Sequence, residues 1–600
     1  MKLSDYVIDF LVEHGVKHVF MLPGGGAMHL NDSLGSRCSE IEFVCNLHEQ
    51  ASAMAAETYA KATGHLGVAL VTTGPGGTNT VTGVAGAWLD STPVLFISGQ
   101  AKRPDLKADS GVRQMGVQEV DIVSIVTPIT KSAVTVLDPE SIRFELEKAV
   151  YLAKSGRPGP VWIDVPLDVQ GATIEPATLR SFTAENEPNG SDRTNLTAQV
   201  AQIIDYLNRS ERPVLLAGNG IRLARAERSF LELIERLRVP VLTTWLAVDL
   251  LPYDHKLYLG RPGTVAPRGV NFALQNSDLL LSIGSRIDFT ITGYAPEKLA
   301  RGAKKVMVDV DAAELRKLGD YFDLSVQADA GDFICEFLAQ SNKLKNHDRS
   351  PWMARCQEWK TKYPVVLPEH RNPDQRVSTY YLAEVFSEEL KENEMIVSGS
   401  SGAGIEIFQL ALKLKAGQRL FQTTALGAMG NGLPSAIGAC LGSGRRETVC
   451  VDGDGGIQLN IQELATIQRL QLPIKLFILN NDGFSSIRTS QQRWFGRLMA
   501  ADGTSGLTLP DVTKVAAAYG LPTARIESQR NLRQEVRAVL DTPGPVVCDV
   551  WCIPDEARIP SLASSQRADG SLVSRPLEDL WPFLDRDEFR ANMIIPILEE

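Results

Sequence analysis

Short runs of β-branched and aliphatic residues recur along this chain, and the stretches between them carry apolar residues at helical spacing. The first pattern predicts strands buried on both faces, and the second predicts helices that cover them. Runs at 68–71, 94–97 and 161–165 form one group. Those at 214–217, 241–242, 279–283 and 306–310 form a second, and those at 449–451 and 474–479 a third. Polar stretches at 185–195, with Pro188, Gly190 and Ser191, and at 343–350 read as linkers. The chain divides into blocks at 1–180, 190–345 and 365–555, with a proline-punctuated tail at 556–600. Strands alternating with helices predict an α/β fold of three doubly wound parallel-sheet domains, with ligands beyond the C-terminal ends of the strands.

Composition then narrows the partners. A formal charge of -11, with 44% hydrophobic and 22% charged residues, describes a globular protein not built for nucleic acid or anionic lipid. Small molecules are the expected partners. No apolar run reaches the roughly 18 residues of a membrane span, and the first residues lack the pattern of a secretory signal, so a cytoplasmic protein is expected. The eight cysteines show no paired metal-ligand spacing and are expected to be reduced core residues.

Chemistry concentrates at strand ends. The run Val449-Cys450-Val451-Asp452 leads into Gly453-Asp454-Gly455-Gly456, and the run at 474–479 ends in Asn480-Asn481. Two neighbouring parallel strands would deliver a carboxylate and a carboxamide oxygen to one sheet edge, beside glycines that admit a diphosphate. Hard oxygen donors next to phosphate suit Mg²⁺. Gly-Asp-Gly alone is a common turn; the whole constellation is more specific. The first block supplies Leu22-Pro23-Gly24-Gly25-Gly26, then His48-Glu49-Gln50 at a strand-to-helix junction, then Thr73-Gly74-Pro75-Gly76-Gly77-Thr78-Asn79. The third adds Leu426-Gly427-Ala428-Met429-Gly430.

From about residue 3 to 550, the order and spacing of these motifs resemble the thiamine-diphosphate (ThDP) dependent enzymes of the acetolactate synthase-like family. The resemblance implies that Asp454, Asn481 and the carbonyl of Gly483 bind Mg²⁺. It implies further cofactor contacts from Gly427, Gly453, Gly455, Gly456 and Phe484 in the third block, and from Pro23, Gly24, Gly25, Gly26, Thr73, Gly76 and Asn79 in the first. Glu49 would bond the cofactor's pyrimidine and favour the tautomer that activates it, Met429 would wedge beneath the bent cofactor, and Gln118 would help hold the donor. In this family the glutamate block of one chain faces the diphosphate block of another, which implies a homodimer or a dimer of dimers. The central block there holds FAD. Arg157, Gly218, Asn219, Gly220, Thr244, Gly263, Thr264, Arg286, Asp309 and Asp329 fall at positions resembling its flavin contacts, so FAD is expected beside ThDP and Mg²⁺.

Departures from that family bear on the substrate. Where acetolactate synthases read Arg-Phe-Asp-Asp-Arg, with the last Arg gripping an acceptor carboxylate, this chain has Arg286-Ile287-Asp288-Phe289-Thr290. Ser486 and Ser490 stand where the family walls its acceptor pocket with a Met and a Trp. A pocket bounded by Thr290, Ser486 and Ser490 is wider and more polar. The segments 481–491 and 575–584 resemble ThDP proteins associated with surface-polysaccharide sugars. The expected activity is therefore a carboligase that decarboxylates pyruvate or a related 2-oxo acid and passes the acetyl unit to a carbonyl acceptor, such as a nucleotide-activated keto sugar. Acetolactate synthase, a ThDP-dependent carbon–carbon hydrolase, a flavin-redox pyruvate oxidase and a non-enzymatic ThDP-binding protein are the alternatives. Arg488 reads either as a contact to an acceptor phosphate or as a solvated arginine. The tail reads either as a lid over the active-site mouth or as a packing element.

Overall fold

A computed structural model describes residues 1–184, 193–399, 402–566 and 572–598. The linker expected at 185–195 lies outside the described residues over 185–192. The described chain forms three six-stranded parallel sheets flanked by helices. The first comprises β1 (His18–Met21), β2 (Glu42–Cys45), β3 (Gly67–Val71), β4 (Val94–Gln100), β5 (Ser132–Thr135) and β6 (Val161–Pro166), in the order β2-β1-β3-β4-β6-β5. The second comprises β7 (Pro213–Ala217), β8 (Val241–Thr243), β9 (Tyr258–Gly260), β10 (Leu279–Ile283), β11 (Lys304–Asp309) and β12 (Leu324–Gln327), in the order β12-β11-β10-β7-β8-β9. The third comprises β13 (Met395–Ser398), β14 (Arg419–Phe421), β15 (Thr448–Gly453), β16 (Ile474–Asn480), β17 (Thr523–Ile526) and β18 (Val546–Trp551), in the order β14-β13-β15-β16-β18-β17.

The first and third sheets thus share one topology, whereas the second has the strand order of a dinucleotide-binding sheet, reversing between β7 and β10. Central strands such as β3, β4, β7 and β10 are buried along their whole length, because helices cover both faces.

The first and third domains meet through equivalent helices. The helix Glu49–Thr63 follows β2, and Gly432–Gly442 follows β14, the matching strand of the third sheet. Their backbones touch where side chains are missing. A Cβ on Gly438 would stand 2.2 Å from the Ala55 carbonyl oxygen, and one on Gly442 would stand 2.9 Å from the Ala62 Cβ. Thr58 Oγ1 donates to Ser435 Oγ across the same seam at 2.9 Å.

The tail returns to the second domain. Leu577, Leu580 and Phe589 are buried. Gln275 donates to Glu578 at 2.7 Å, Asn276 to the Asn592 carbonyl at 3.0 Å, and Trp359 Nε1 to Asn592 Oδ1 at 2.8 Å. Residues 577–592 are therefore a packed part of that domain. The cysteines depart in part from expectation: all eight are free, but Cys38 and Cys335 are exposed. No helix among the described residues is long and apolar enough to cross a membrane.

The glycine seam gives a direct test. Gly438→Val should lower the free energy of unfolding by about 1–3 kcal/mol, the usual cost of overpacking a tight contact. Chemical denaturation measures it, and an unchanged midpoint would show that the seam is looser than the geometry states.

Candidate active site

One cluster gathers where β1, β2 and β3 end. After β1, Pro23 and Gly25 lie exposed in the turn, whereas Gly24 and Gly26 press against the end of β3. An added Cβ on them would stand 2.5 Å from Thr72 and 2.4 Å from the Thr73 hydroxyl. Glu49 opens its helix, and the His48 side chain caps that helix by accepting from the Gln50 amide. The buried Glu49 carboxylate accepts from Asn79 Nδ2 at 2.9 Å, and a Cβ on Gly76 would lie 3.8 Å from it. Gly74, at φ +64°, leaves room for the Gln118 carbonyl, 2.5 Å from where its Cβ would be. Gln118 itself has φ +62°. Its loop is pinned by the neighbouring Glu119, whose carboxylate accepts from the amides of Lys107 and Met115, both at 2.8 Å.

A second cluster forms at the ends of β15 and β16. Their register pairs Gly453 with Leu479, which brings Asp454 level with the Asn480-Asn481 pair. Asp454 accepts from the Gly455 amide at 2.8 Å and from the Gly483 amide at 2.9 Å. Asn481 Oδ1 is buried without a hydrogen-bond partner among the described residues. Gly455 lies under the Phe484 ring, 2.2 Å from a would-be Cβ. Behind them, Asp452 is enclosed by glycines, and Cβ atoms on Gly399, Gly432 and Gly456 would stand 2.1, 2.2 and 2.6 Å from its carboxylate. Burial pushes the Asp454 carboxyl up to about 6 and that of Asp452 up to about 7.

The donor set fits a divalent cation. A buried carboxylate and an orphaned buried carboxamide oxygen are hard ligands, and a cation beside Asp454 would restore its charged form. Gly427, at φ +63°, and the half-buried Met429 lie in the turn before Gly432–Gly442. Asn460 ties that turn to the Glu49 helix, donating to the Gly430 carbonyl at 2.8 Å and to Gln50 Oε1 at 3.0 Å. No hydrogen bond among the described residues joins Glu49 to Met429, Asp454 or Asn481.

The second domain carries a cavity of about 910 Å³ at the reversal between β7 and β10. Arg157, Asn219, Gly220, Thr244, Arg286, Asp309 and Asp329 line it. Gly218 supports it from behind, since a Cβ there would meet the Gly284 carbonyl oxygen at 2.1 Å. Arg157 is held by Asp311 at 3.0 Å and by Glu314 at 2.9 Å. Gly263 and Thr264 do not line the cavity. They pair with the Thr290 loop instead, through Thr264 N to the Thr290 carbonyl at 2.9 Å.

Comparison with known proteins follows this partition. Residues 1–125 match the thiamine pyrophosphate enzyme N-terminal TPP binding domain, 200–337 the central domain and 403–550 the C-terminal TPP binding domain. The acetolactate synthase large subunit of Cyanidium caldarium is 33% identical over 93% of this chain and 94% of its own length. Acetolactate synthase 2, chloroplastic, of Nicotiana tabacum is 34% identical over 94% of this chain and 84% of its own. The chain belongs to the acetolactate synthase-like family of thiamine-diphosphate-dependent enzymes. It is a ThDP-dependent carboligase of that type.

The three residues expected to bound the acceptor lie on two separate helices. Thr290 is the second residue of the short helix Phe289–Thr292, and Asp288 caps it, accepting from the Thr290 amide at 2.9 Å and from the Thr290 hydroxyl. Ser486 and Ser490 lie one turn apart on Ser485–Phe495, half-buried and exposed respectively. No hydrogen bond among the described residues links Thr290 to either serine. Arg488, on the same helix, is neither solvated nor turned to an open pocket. It is buried and bonded to the Asn481 and Asp482 carbonyls at 2.8 and 2.9 Å.

Motif reading missed Arg488 in this role, together with Asp452, Asn460 and Glu463. Glu463 joins the first and third domains by accepting from Asn46 Nδ2 at 2.9 Å and from the Leu47 amide at 2.8 Å. The one available signal was a set of polar residues inside otherwise apolar strand and helix patterns.

Because Asn481 Oδ1 has no partner among the described residues, Asn481→Ala should leave the stability of the cofactor-free enzyme unchanged or raised while abolishing ThDP retention. Denaturation of the cofactor-free protein and equilibrium dialysis of ThDP measure the two separately. A destabilised variant that still retains ThDP would contradict both halves.

Proposed function

We propose that this enzyme takes the acetyl unit of pyruvate or a related 2-oxo acid and joins it to a carbonyl acceptor bulkier than a second 2-oxo acid, a nucleotide-activated keto sugar being the favoured class. The bond between the donor's carbonyl and carboxylate carbons breaks with loss of CO₂. A new bond joins the acyl carbon to the acceptor's carbonyl carbon, whose oxygen takes up a proton. The observation that carries the acceptor reading is Thr290: its amide and hydroxyl are both committed to Asp288, so this position offers no charge to an acceptor carboxylate.

ThDP, when bound, supplies the electron sink that permits decarboxylation. In this reading Glu49, held by Asn79, orients and polarises the pyrimidine ring. Asp454, Asn481 and the Gly483 carbonyl hold Mg²⁺ and with it the diphosphate, Met429 supports the bend, and Gln118 faces the donor. The strand-order reversal, the glycines after β7 and a cavity near the top of the usual range of about 300–1,000 Å³ support FAD in the second domain. Exposed apolar side chains beside the two clusters, Met28, Leu47, Met115, Val117 and Leu426, support a homodimer in which Glu49 of one chain faces Asp454 of the next.

Glu49→Gln should reduce carboligation by at least about 100-fold, the usual weight of a positioned acid–base group, while ThDP affinity changes little. Steady-state rates and fluorescence titration with ThDP measure the two effects, and near wild-type turnover would remove Glu49 from the mechanism. For the acceptor, mass spectrometry of products from pyruvate and a panel that includes nucleotide-linked keto sugars should show a two-carbon gain on a sugar. Acetolactate as the sole product would mean that a second pyruvate is the acceptor.

A further inference from the structure

We infer that Arg488 is a positioning residue of the metal loop, fixing the peptide groups that carry Asn481 and Gly483 and tying them to the segment after β18. The inference rests on the assignment of Asp454, Asn481 and Gly483 to a divalent cation. Arg488 is only 6% exposed, and its guanidinium reaches four acceptors. Nη2 donates to the Asn481 carbonyl at 2.8 Å and to the Pro554 carbonyl at 2.7 Å. Nη1 donates to the Asp482 carbonyl at 2.9 Å, and Nε to Asp555 Oδ1 at 2.9 Å.

The two carbonyls of the loop belong to the peptide groups on either side of Asp482. Holding both planes sets the direction of the Asn481 side chain before them and of the Gly483 carbonyl after them. The loop needs such a hold, because Asp482 has φ +61°, a conformation that side chains other than glycine rarely adopt. Gly483 follows at φ +124°, with a would-be Cβ 2.5 Å from the Ala501 carbonyl oxygen. On the far side, Glu556 anchors the segment after β18 by accepting from the Thr379 amide at 2.8 Å and the Ser378 hydroxyl at 2.5 Å. The loops that follow the paired strands β16 and β18 are thus joined through one side chain.

Charge cannot be the reason for an arginine here. A guanidinium beside a cation site repels the ion, so neutralising it would tighten Mg²⁺ binding if electrostatics dominated. Positioning predicts the opposite sign. Only the planar, five-donor fork spans four acceptors, which a lysine ammonium does not.

The test is a Mg²⁺ titration of the full-length protein at saturating ThDP, read by quenching of intrinsic tryptophan fluorescence. Arg488→Met should raise the half-saturating Mg²⁺ concentration by about 10- to 100-fold, the weight of groups that orient metal ligands. Arg488→Lys should fall between that variant and wild type. Asp555→Asn, at a side chain 68% exposed, should shift the curve less, in the same direction, without moving the thermal midpoint of the cofactor-free protein. An unchanged or lowered half-saturating concentration in Asp555→Asn and in whichever Arg488 variants fold would overturn the inference. Wild-type protein that binds ThDP equally well without Mg²⁺ would instead overturn the metal assignment beneath it.

Discussion

Two helices that touch backbone to backbone set the arrangement of this enzyme. Gly438 and Gly442 let the Gly432–Gly442 helix lie against Ala55 and Ala62 at distances no side chain would permit. Each helix follows the matching strand of its own sheet, so the contact fixes two domains of one topology relative to each other. The polar ties across the seam, from Glu463 to Asn46 and from Asn460 to Gln50, depend on that close approach. They in turn hold the turns that bear Glu49 and Met429.

Against this rigid frame, the Asp454 cluster is strained in an electrostatic sense. A buried carboxyl raised toward neutrality and an unsatisfied carboxamide oxygen both weaken the free protein. The fold tolerates them because glycines before and after remove any steric demand, and because Asp454 still accepts two backbone amides. The groups that would be ligands are left with unused acceptor capacity, and the scaffold carries the cost.

Much of this was legible in the sequence, for identifiable reasons. Strands buried on both faces appear as apolar runs, unbroken in β3 and β7 and interrupted inside β10 and β16 only by Ser282 and Lys475. The residues at their ends, Asp454, Asn481 and Thr73, are marked by the change to glycine and polar side chains. Two edge strands were not legible: β5 (Ser132–Thr135) and β17 (Thr523–Ile526) are short and half polar, because they are covered on fewer sides. Arg488 could not be read either, since two of its four acceptors lie 66 and 67 residues away. The tail's destination was hidden for the same reason, with Asn276 and Asn592 meeting across 316 residues.

The shared strand order of the first and third sheets has a consequence for how such an enzyme changes over time. The two TPP binding domains are copies of one topology, one with Glu49 opening the helix after its edge strand, the other with Asp454 and Asn481 at its strand ends. The loops of each copy leave from their own sheet, but the Asn460–Gln50 and Glu463–Asn46 hydrogen bonds tie them across the helix seam. A substitution in one set is therefore felt by the other wherever it meets one of these ties. Thr290 lies in the second domain, outside the seam, and a change there touches neither tie.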